Sequence, residues 1–331
     1  MCYGPWPAVS SLQRGNGGAP LEGRRRRRLL RVAAPLVCDV GPRDGLQSDD
    51  VVLAPETRAE LCRRLAAAGL ERIEAASFVD PRRVPAMAAA EKVVQALGDR
   101  SFELAGLALN ARGAERALTA GVDRLHTSYA MTDAFGLRNQ NAGVEDGAAM
   151  AADLIAAAEA AGRPVSVTLS VAFGCPFTGE VDPGLVIEHA GRMAAAGAAE
   201  VLLADTIGVA VPAQVRRMLP AVVSSLNGRP AGLHLHDTRG TALACLDAGL
   251  QAGATVVDAS IGGLGGCPFA PGATGNVATE DVVYLLERSG IATGIDLDGV
   301  IETARWLAGE LGHDLPGRVL QAGPFRPAGA S

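Results

Sequence analysis

The sequence predicts an α/β protein that closes into a (β/α)8 barrel, and three observations lead to this fold class. Eight short runs rich in apolar and β-branched residues recur between residues 36 and 261. Stretches of helical length separate them, and several end in Ala-Gly just before the next strand, as αβ turns do. Strands that alternate with helices predict a parallel sheet, because a parallel crossover needs about a dozen residues or more. Eight such units favour a closed barrel over the alternative, an open, doubly wound sheet.

The elements follow one another in a regular order. The predicted strands are residues 36–40, 72–77, 102–109, 122–128, 165–173, 200–206, 232–237 and 255–261. The clearest helices are residues 55–70, 144–162, 183–197 and 239–253. Pro55 suits the first turn of its helix, and Gly69 suits the end. We therefore assign residues 32–290 to the barrel, and residues 291–331 to a short C-terminal helical extension that packs on it, followed by a flexible tail.

Residues 1–31 differ from the rest of the chain. They are polar, Gly-rich and without periodicity, and they carry a run of arginines from Arg24 to Arg28. This composition is typical of a disordered extension. A signal peptide needs an uninterrupted apolar stretch after its basic residues, and Arg31 and Asp39 interrupt the one here. We favour a solvated extension over an organelle-targeting segment.

Charge and cysteine usage exclude several classes of protein. The net charge of −6 argues against a nucleic-acid binder, since such domains are usually strongly basic. No apolar run reaches the roughly 20 residues that a membrane-spanning helix needs. The six cysteines are scattered and include no C-x-x-C pair. This spacing predicts reduced thiols in a cytoplasmic protein, and it excludes a cysteine-rich structural zinc site.

Polar residues stand at the ends of the predicted strands, where a (β/α)8 barrel carries its active site. In the last residues of strands one, two, six and seven, or just after them, these residues are Arg43, Asp44, Gln47, Glu74, Ser77, Asp205, Thr206, His234 and His236. We expect all of them at the mouth of the barrel. Gln47, Ser77, Asp205 and Thr206 are our candidates for contacts with a substrate.

The pair His234 and His236 is the strongest local signal. Side chains two residues apart on a strand point to the same face, so both imidazoles can bind one metal ion. Asp44 follows the first strand, which lies near strands seven and eight in a closed barrel, and Asn276 in the loop after strand eight offers an amide oxygen. A mixed nitrogen and oxygen set favours Mg²⁺ or Mn²⁺ over zinc. A salt bridge from Asp44 to Arg43 is the structural alternative for that carboxylate.

The loop "GGLGGCPFAPGATGN" (262–276) follows strand eight. It does not match the dinucleotide-binding fingerprint, because Pro268 stands where a third glycine is needed. Its glycines favour a lid that closes over a substrate, in which Cys267 is a candidate acid or base. A flexible connector with an incidental thiol is the alternative.

Five motifs together resemble the hydroxymethylglutaryl-CoA lyase family, a branch of the metal-dependent lyase-like TIM barrels. They are "GPRDGLQ", "IEAASFV", "ADTIGV", "GLHLHDTRG" and "SIGGLGGCPFAPGATGNVATED". The resemblance covers roughly residues 35–320. The last motif is specific to the lyases, whereas the Arg-Asp pair and H-x-H-D also occur in related aldolases and Claisen-condensing synthases.

The resemblance implies cleavage of 3-hydroxy-3-methylglutaryl-CoA to acetyl-CoA and acetoacetate, and thus a place in leucine degradation and ketone-body formation. It also implies an acyl-CoA substrate, a divalent metal and a homodimer. By position, the family's metal ligands match Asp44, His234, His236 and Asn276, while its catalytic arginine, active-site acid and loop cysteine match Arg43, Glu74 and Cys267. The first acceptor of the substrate's proton stays open between Asp44, His234 and Cys267.

Of two departures from the family pattern, the one in the fourth strand and its loop leaves the substrate open. Residues 125–141 differ from the family in the fourth strand and its loop, and Asp39 stands where glutamate is common. The alternatives are therefore a lyase for a different or bulkier branched 3-hydroxyacyl-CoA, a related aldolase, or a barrel that binds a metabolite without turnover. Arg82, Arg83 and Arg138 are weak candidates for the CoA phosphates, since each is more often plain surface.

Overall fold

The computed structural model describes residues 33–266 and 275–326. Its centre is a closed barrel of eight parallel strands in the order β1 to β8, with β8 paired to β1. The strands are β1 Leu36–Asp39, β2 Arg72–Ser77, β3 Glu103–Leu107, β4 Arg124–Ala130, β5 Val165–Ser170, β6 Glu200–Asp205, β7 Ala231–Leu235 and β8 Val256–Ala259. The predicted (β/α)8 barrel is confirmed, and the open sheet is excluded.

Helices follow the strands and form the outer layer. They are α1 Pro55–Ala67, α2 Ala90–Leu97, α3 Ala111–Ala120, α4 Asp133–Asn139, α5 Val144–Ala160, α6 Pro183–Ala196, α7 Pro212–Ser225, α8 Ala242–Gln251, α9 Thr279–Arg288, α10 Leu297–Leu311 and α11 Arg318–Ala322. The main hydrophobic core lies between this layer and the barrel. Helices α10 and α11 correspond to the predicted C-terminal extension. The domain boundaries stay predictions, and residues 1–31 and the end of the tail lie outside the described residues.

The boundaries of β4 and β5 differ from the predicted ones for identifiable reasons. β4 continues to Ala130 because its last residues, Tyr129 and Ala130, pair with Leu169 and Ser170 of β5. β5 ends at Ser170 because Val171 has a positive φ of 52°, a conformation that β-branched residues rarely adopt. The two strands therefore reach the same level at the mouth of the barrel.

The opposite end of the barrel is closed by ion pairs that the sequence pattern did not reveal. Arg72, Glu103, Arg124 and Glu200 are each the first residue of a strand. Arg72 donates to Glu103 and Glu200 over 2.6 Å each, and Arg124 donates to Glu103 over 2.9 Å. Two cations and two anions thus balance in the interior, where an unpaired charge would be costly.

Two expectations drawn from the composition, on the cysteines and on membrane-spanning helices, can be compared with the described residues. Cys38, Cys62, Cys175 and Cys245 are buried and free, as the scattered spacing predicted. Among the described residues, no helix combines the length and the apolar character that crossing a membrane requires.

A buried carboxyl group at the start of α9 makes stability depend on pH. Glu280 is fully buried, and its Oε2 atom accepts a hydrogen bond of 3.0 Å from the backbone N–H of Gly262. Its Oε1 atom has no partner among the described residues. Burial raises the pKa of Glu280 from 4.5 to about 8. The folded protein therefore holds a proton that the unfolded chain releases at lower pH.

We expect the free energy of unfolding to fall as pH rises from about 4.5 to about 8 and then to level off, since each pKa unit corresponds to about 1.4 kcal/mol. In Glu280→Gln this part of the pH dependence should disappear. Chemical denaturation at about pH 5.5, 7 and 8.5 measures this dependence of the free energy of unfolding on pH. Glu302→Gln, a change at an exposed position of α10, is the matched control and should follow the wild type. Parallel curves for wild type and Glu280→Gln would contradict the assignment.

Candidate active site

The mouth of the barrel holds a cavity of about 920 Å³. Its lining includes six of the residues that the sequence placed there, namely Arg43, Asp44, Gln47, Thr206, His234 and His236. Side chains from separate strands and loops thus converge on one space at the carboxyl ends of the strands, as this fold predicts.

A single π-helical turn, Gly41–Gly45, carries Arg43 and Asp44 into the mouth. The backbone N–H groups of Arg43, Asp44 and Gly45 all point to the carbonyl oxygen of Val40, at 3.1, 2.7 and 3.3 Å. A side chain at Gly41 would place its Cβ atom 2.6 Å from Ile261, so only glycine fits there. The turn explains how residues that follow β1 face the barrel axis.

Arg43 is a buried cation held by two carboxylates. Its guanidinium donates to Asp44 and, over 2.6 Å, to Oε2 of Glu74. Burial would raise the pKa of Glu74, but Arg43 and His126 lower it to about 2. For Asp44, the effect of burial is likewise outweighed by Arg43, which holds the pKa below its usual range. Both carboxylates are therefore ionised, and the guanidinium has a fixed orientation.

His126 belongs to this group, although sequence reasoning did not single it out. Its Nδ1 atom lies 2.7 Å from Oε1 of Glu74, and its Nε2 atom lies 2.9 Å from the hydroxyl group of Thr168. The available signal was a polar residue at an alternate position of a buried strand. A single histidine in such a strand is more often a core residue, so the pattern alone did not assign it.

Asp44, His234 and His236 form a cluster that suits a divalent cation. One potential ligand atom from each lies within 4.8 Å of the others. The Nε2 atoms of the two imidazoles are 3.3 Å apart, and Nε2 of His234 is 3.9 Å from Oδ2 of Asp44. This convergence of nitrogen and carboxylate oxygen fits Mg²⁺ or Mn²⁺.

The surroundings of both imidazoles favour the binding of a metal ion. Nδ1 of His234 lies 3.1 Å from Oδ2 of Asp258, which leaves Nε2 directed at the cluster. Nδ1 of His236 is buried without a partner among the described residues. Burial and His234 lower the pKa of His236 to about 4, so its imidazole is neutral and carries a lone pair.

Asn276 lies beside the cluster. Its backbone pairs with that of His236, and its Nδ2 atom donates to Oδ2 of Asp44 over 2.9 Å and to the carbonyl oxygen of Leu264 over 3.3 Å. The two amide orientations differ only in the exchange of N and O. The reversed orientation directs the amide oxygen at the side of Asp44 that belongs to the cluster, as a metal ligand would need.

The other predicted site residues fall into three groups. Gln47 and Thr206 line the mouth. Ser77 and Asp205 are not among the residues that line it: Ser77 is fully buried, and the Asp205 carboxylate accepts hydrogen bonds of 2.9 Å each from the N–H groups of Val209 and Ala210. The structure therefore gives Asp205 the role of holding the loop after β6. Cys267 lies outside the described residues.

Comparison with known proteins places this geometry in a family. Residues 34–307 match the family model described as HMGL-like. This chain belongs to the HMGL-like family. A (R)-citramalyl-CoA lyase from Chloroflexus aurantiacus is 40% identical over 305 residues, which cover 89% of this chain and 96% of the relative. The hydroxymethylglutaryl-CoA lyase YngG from Bacillus subtilis is 38% identical, and the match covers 86% of this chain and 95% of that relative.

Solved structures of HMG-CoA lyases are also similar to this chain. The hydroxymethylglutaryl-CoA lyase from Pseudomonas aeruginosa has a TM-score of 0.84 at 39% identity, over 87% of this chain and 97% of that one. An HMG-CoA lyase from Acinetobacter baumannii, in complex with coenzyme A and 3-methylmalate, has a TM-score of 0.84 at 35% identity, over 89% and 97%. The chain is therefore a carbon–carbon lyase with the fold of this family.

Proposed function

We propose that this lyase carries out a divalent-metal-dependent retro-Claisen cleavage of a 3-hydroxyacyl-CoA. The observation that carries the proposal is the convergence, in one mouth, of the Asp44, His234 and His236 cluster with the buried Arg43 cation. A relative's complex with coenzyme A supports an acyl-CoA as the substrate.

The residues divide the chemistry between them. Cleavage breaks the bond between C2 and C3 of the acyl group, and the electrons of the carbinol O–H bond form the new C=O bond of the second product. Asp44, His234 and His236, with Asn276 beside them, would hold a divalent cation, which would supply a Lewis acid that lowers the pKa of the carbinol. The bond electrons pass to the thioester as an enolate, whose oxygen Arg43 stabilises.

Two proton transfers complete the balance. The carbinol proton leaves to a base, for which Asp44, His234 and Cys267 are the candidates. The protonated base or solvent water then gives a proton to C2 of the enolate, which becomes acetyl-CoA. We propose that Glu74 orients Arg43, because it binds that guanidinium and His126 at the same time. Gln47 and Thr206 contact the substrate as part of the lining of the mouth.

The first candidate substrate is 3-hydroxy-3-methylglutaryl-CoA, which yields acetyl-CoA and acetoacetate. Relatives with this activity in their names, at about 38% identity, support it. Citramalyl-CoA is the second candidate, because a citramalyl-CoA lyase is 40% identical over nearly its whole length. Its carboxylate stands directly on the carbinol carbon, so the same cleavage yields acetyl-CoA and pyruvate.

Product analysis with both thioesters tests the proposal. We expect equimolar acetyl-CoA and either acetoacetate or pyruvate, a loss of turnover of at least about 100-fold after treatment with a chelator, and recovery on addition of Mg²⁺ or Mn²⁺. Turnover that persists without metal would overturn the metal dependence. An aldehyde product would indicate the aldolase alternative, and no product from either thioester would exclude both substrates.

Three further expectations accompany this function. We propose a homodimer, on the family resemblance, which sedimentation of the purified chain tests. We also propose a cytoplasmic location, on the free and scattered cysteines. A role in leucine degradation and ketone-body formation follows if 3-hydroxy-3-methylglutaryl-CoA is the preferred substrate.

A further inference from the structure

Helix α1 buries an arginine that has no carboxylate partner. Arg58 is 1% exposed and is among the largest fully buried side chains of the described residues. Arg63 and Arg64 on the same helix pair with Glu60, whereas no carboxylate among the described residues forms an ion pair with Arg58. Burial lowers the pKa of its guanidinium, yet this group stays charged in proteins. Such a cation is unfavourable in the interior unless polar groups surround it.

Backbone carbonyl groups take the place of an anion around Arg58. Its Nη1 atom donates to the carbonyl oxygens of Ala86 and Ala88 over 3.3 and 3.1 Å. Its Nη2 atom donates to the carbonyl oxygen of Ala75 over 3.3 Å and lies 3.5 Å from the sulfur atom of Met87. The buried cation thus joins helix α1 to two other parts of the chain, strand β2 and the loop that follows β2.

The contact with Ala75 falls at an irregularity of β2. The pairing of β2 with β3 shifts by one residue between Glu74 and Ala76, which leaves Ala75 without a partner on β3. The pairing of β2 with β1 has already ended at Ile73. A β-bulge of this kind leaves one residue outside the ladder and changes the direction of the side chains beside it. Arg58 therefore binds the carbonyl group of the one residue that the ladder leaves out.

The residue next to the bulge holds the cation of the active site. Glu74 immediately precedes Ala75, and its two carboxylate oxygens bind Arg43 over 2.6 Å and His126 over 2.7 Å. Because each peptide unit is a rigid plane, a movement of Ala75 also turns the Glu74 side chain. The direction of this carboxylate thus depends on how firmly the bulge is held.

The other contacts of Arg58 hold the loop after β2. Residues 83–86 of this loop line the mouth. At the end of the loop, Ala89 has a positive φ of 56°, which is uncommon for a residue other than glycine. Such conformations concentrate at functional sites and persist only where the surrounding structure enforces them. Arg58 binds the carbonyl group of Ala88 directly before it, so one buried cation fixes both this loop and the bulge beside Glu74.

We propose that Arg58 is a positioning residue that acts from the helix layer: by fixing the bulge at Ala75, it directs the Glu74 carboxylate at Arg43. The inference rests on the proposed function, in which Glu74 orients the guanidinium that stabilises the enolate. Arg58 is not among the residues that line the mouth. It therefore influences the cleavage only through the backbone that it holds.

A double-mutant cycle, scored by kcat at saturating thioester, tests the proposal. Arg58→Met keeps most of the side-chain volume and removes the donors, so we expect kcat to fall about 100-fold, as a small misplacement of a catalytic group can cause. In the background of Glu74→Gln, the same change should lower kcat less than about threefold, because residues that act as one unit have non-additive effects. Arg63→Met, on the same helix with a side chain 49% exposed, is the matched control and should keep the wild-type kcat.

The imidazole of His126 reports on Glu74 without any substrate. Its Nδ1 atom lies 2.7 Å from Oε1 of Glu74, so its nitrogen resonances respond to the position of that carboxylate. In protein that contains isotope-labelled histidine, we expect these NMR resonances to shift in Arg58→Met. They should shift less in Arg58→Lys, which keeps the charge and some donors. The resonances of His189, on helix α6, are the internal control and should stay unchanged.

The outcomes separate this inference from the proposed function. A wild-type kcat in Arg58→Met, or the same loss of kcat with and without Glu74→Gln, would overturn the positioning role and leave the lyase function in place. Unchanged His126 resonances in a folded Arg58→Met protein would overturn it as well.

Two further results also have a defined meaning. If Arg58→Met does not fold, Arg58→Lys takes its place in the cycle, with an expected loss in kcat of about tenfold. If the wild type cleaves no thioester, the proposed function fails, and the His126 resonances then decide on their own whether Arg58 positions Glu74.

Discussion

Replacing Arg43 with glutamine is expected to lower kcat on the order of 10³-fold. The guanidinium is buried and fixed by Asp44 and Glu74, so under the proposed function it would meet the enolate oxygen without reorganisation. A neutral amide in its place removes the positive charge from beside the buried Glu74 and the partly buried Asp44. We therefore also expect a lower free energy of unfolding, by about 3 kcal/mol or more.

Two further variants separate these effects. Arg43→Lys keeps the charge but cannot bind both carboxylates in the fixed fork geometry of arginine, so we expect a loss in kcat of about 100-fold with a smaller loss of stability. Arg217→Gln, at an exposed position on α7, is the matched control and should retain wild-type kinetics. If a folded Arg43→Gln enzyme kept kcat within tenfold of the wild type, Arg43 would not be the group that stabilises the enolate.

Replacing His236 with alanine is expected to weaken the binding of Mn²⁺ at least about 100-fold, and turnover should fall with it. Its imidazole is neutral, because burial and His234 lower its pKa to about 4, and its Nε2 atom lies 3.3 Å from that of His234. Alanine removes one of three converging donors. Calorimetric titration with Mn²⁺ measures the affinity directly and does not depend on the identity of the substrate.

If His236→Ala weakened Mn²⁺ binding only through lost packing, a variant of similar volume would bind Mn²⁺ as the wild type does. His236→Gln keeps most of the volume and lacks the imidazole, so it should bind Mn²⁺ nearly as weakly as His236→Ala. His313→Gln, the change of a histidine outside the barrel whose side chain is 45% exposed, should bind Mn²⁺ as the wild type does. Wild-type affinity in His236→Gln would show that His236 is not a ligand.

The sequence predicted the barrel and much of its mouth because both depend on local patterns. Alternation of strands and helices indicates a parallel sheet, and the side chains after each strand end then share one rim. The positions of Arg43, Asp44 and the two histidines follow from this rule. Because His234 and His236 are two residues apart, their side chains share one face of the strand. Their convergence with Asp44 was therefore predictable from the sequence.

Contacts between distant strands were not predictable in this way. His126 meets Glu74 across 52 positions of the chain, and Arg72 meets Glu200 across 128. The pattern within one strand does not show these contacts, because only the closed barrel shows which groups face each other. Asp205 is the converse case, since its place at a strand end predicted a substrate contact, whereas its carboxylate binds the backbone of the following loop.

The two ends of the barrel hold their charges in different ways, and this difference has a consequence for how such proteins diversify. At the closed end, Arg72, Glu103, Arg124 and Glu200 bind one another. At the mouth, Asp44, His234 and His236 converge from separate strands and loops. A mutation in a loop at the mouth can thus change which molecule is bound while the ion pairs at the other end keep the strands together. Gene duplication followed by drift in these loops is then a short evolutionary route from one acyl-CoA lyase to another.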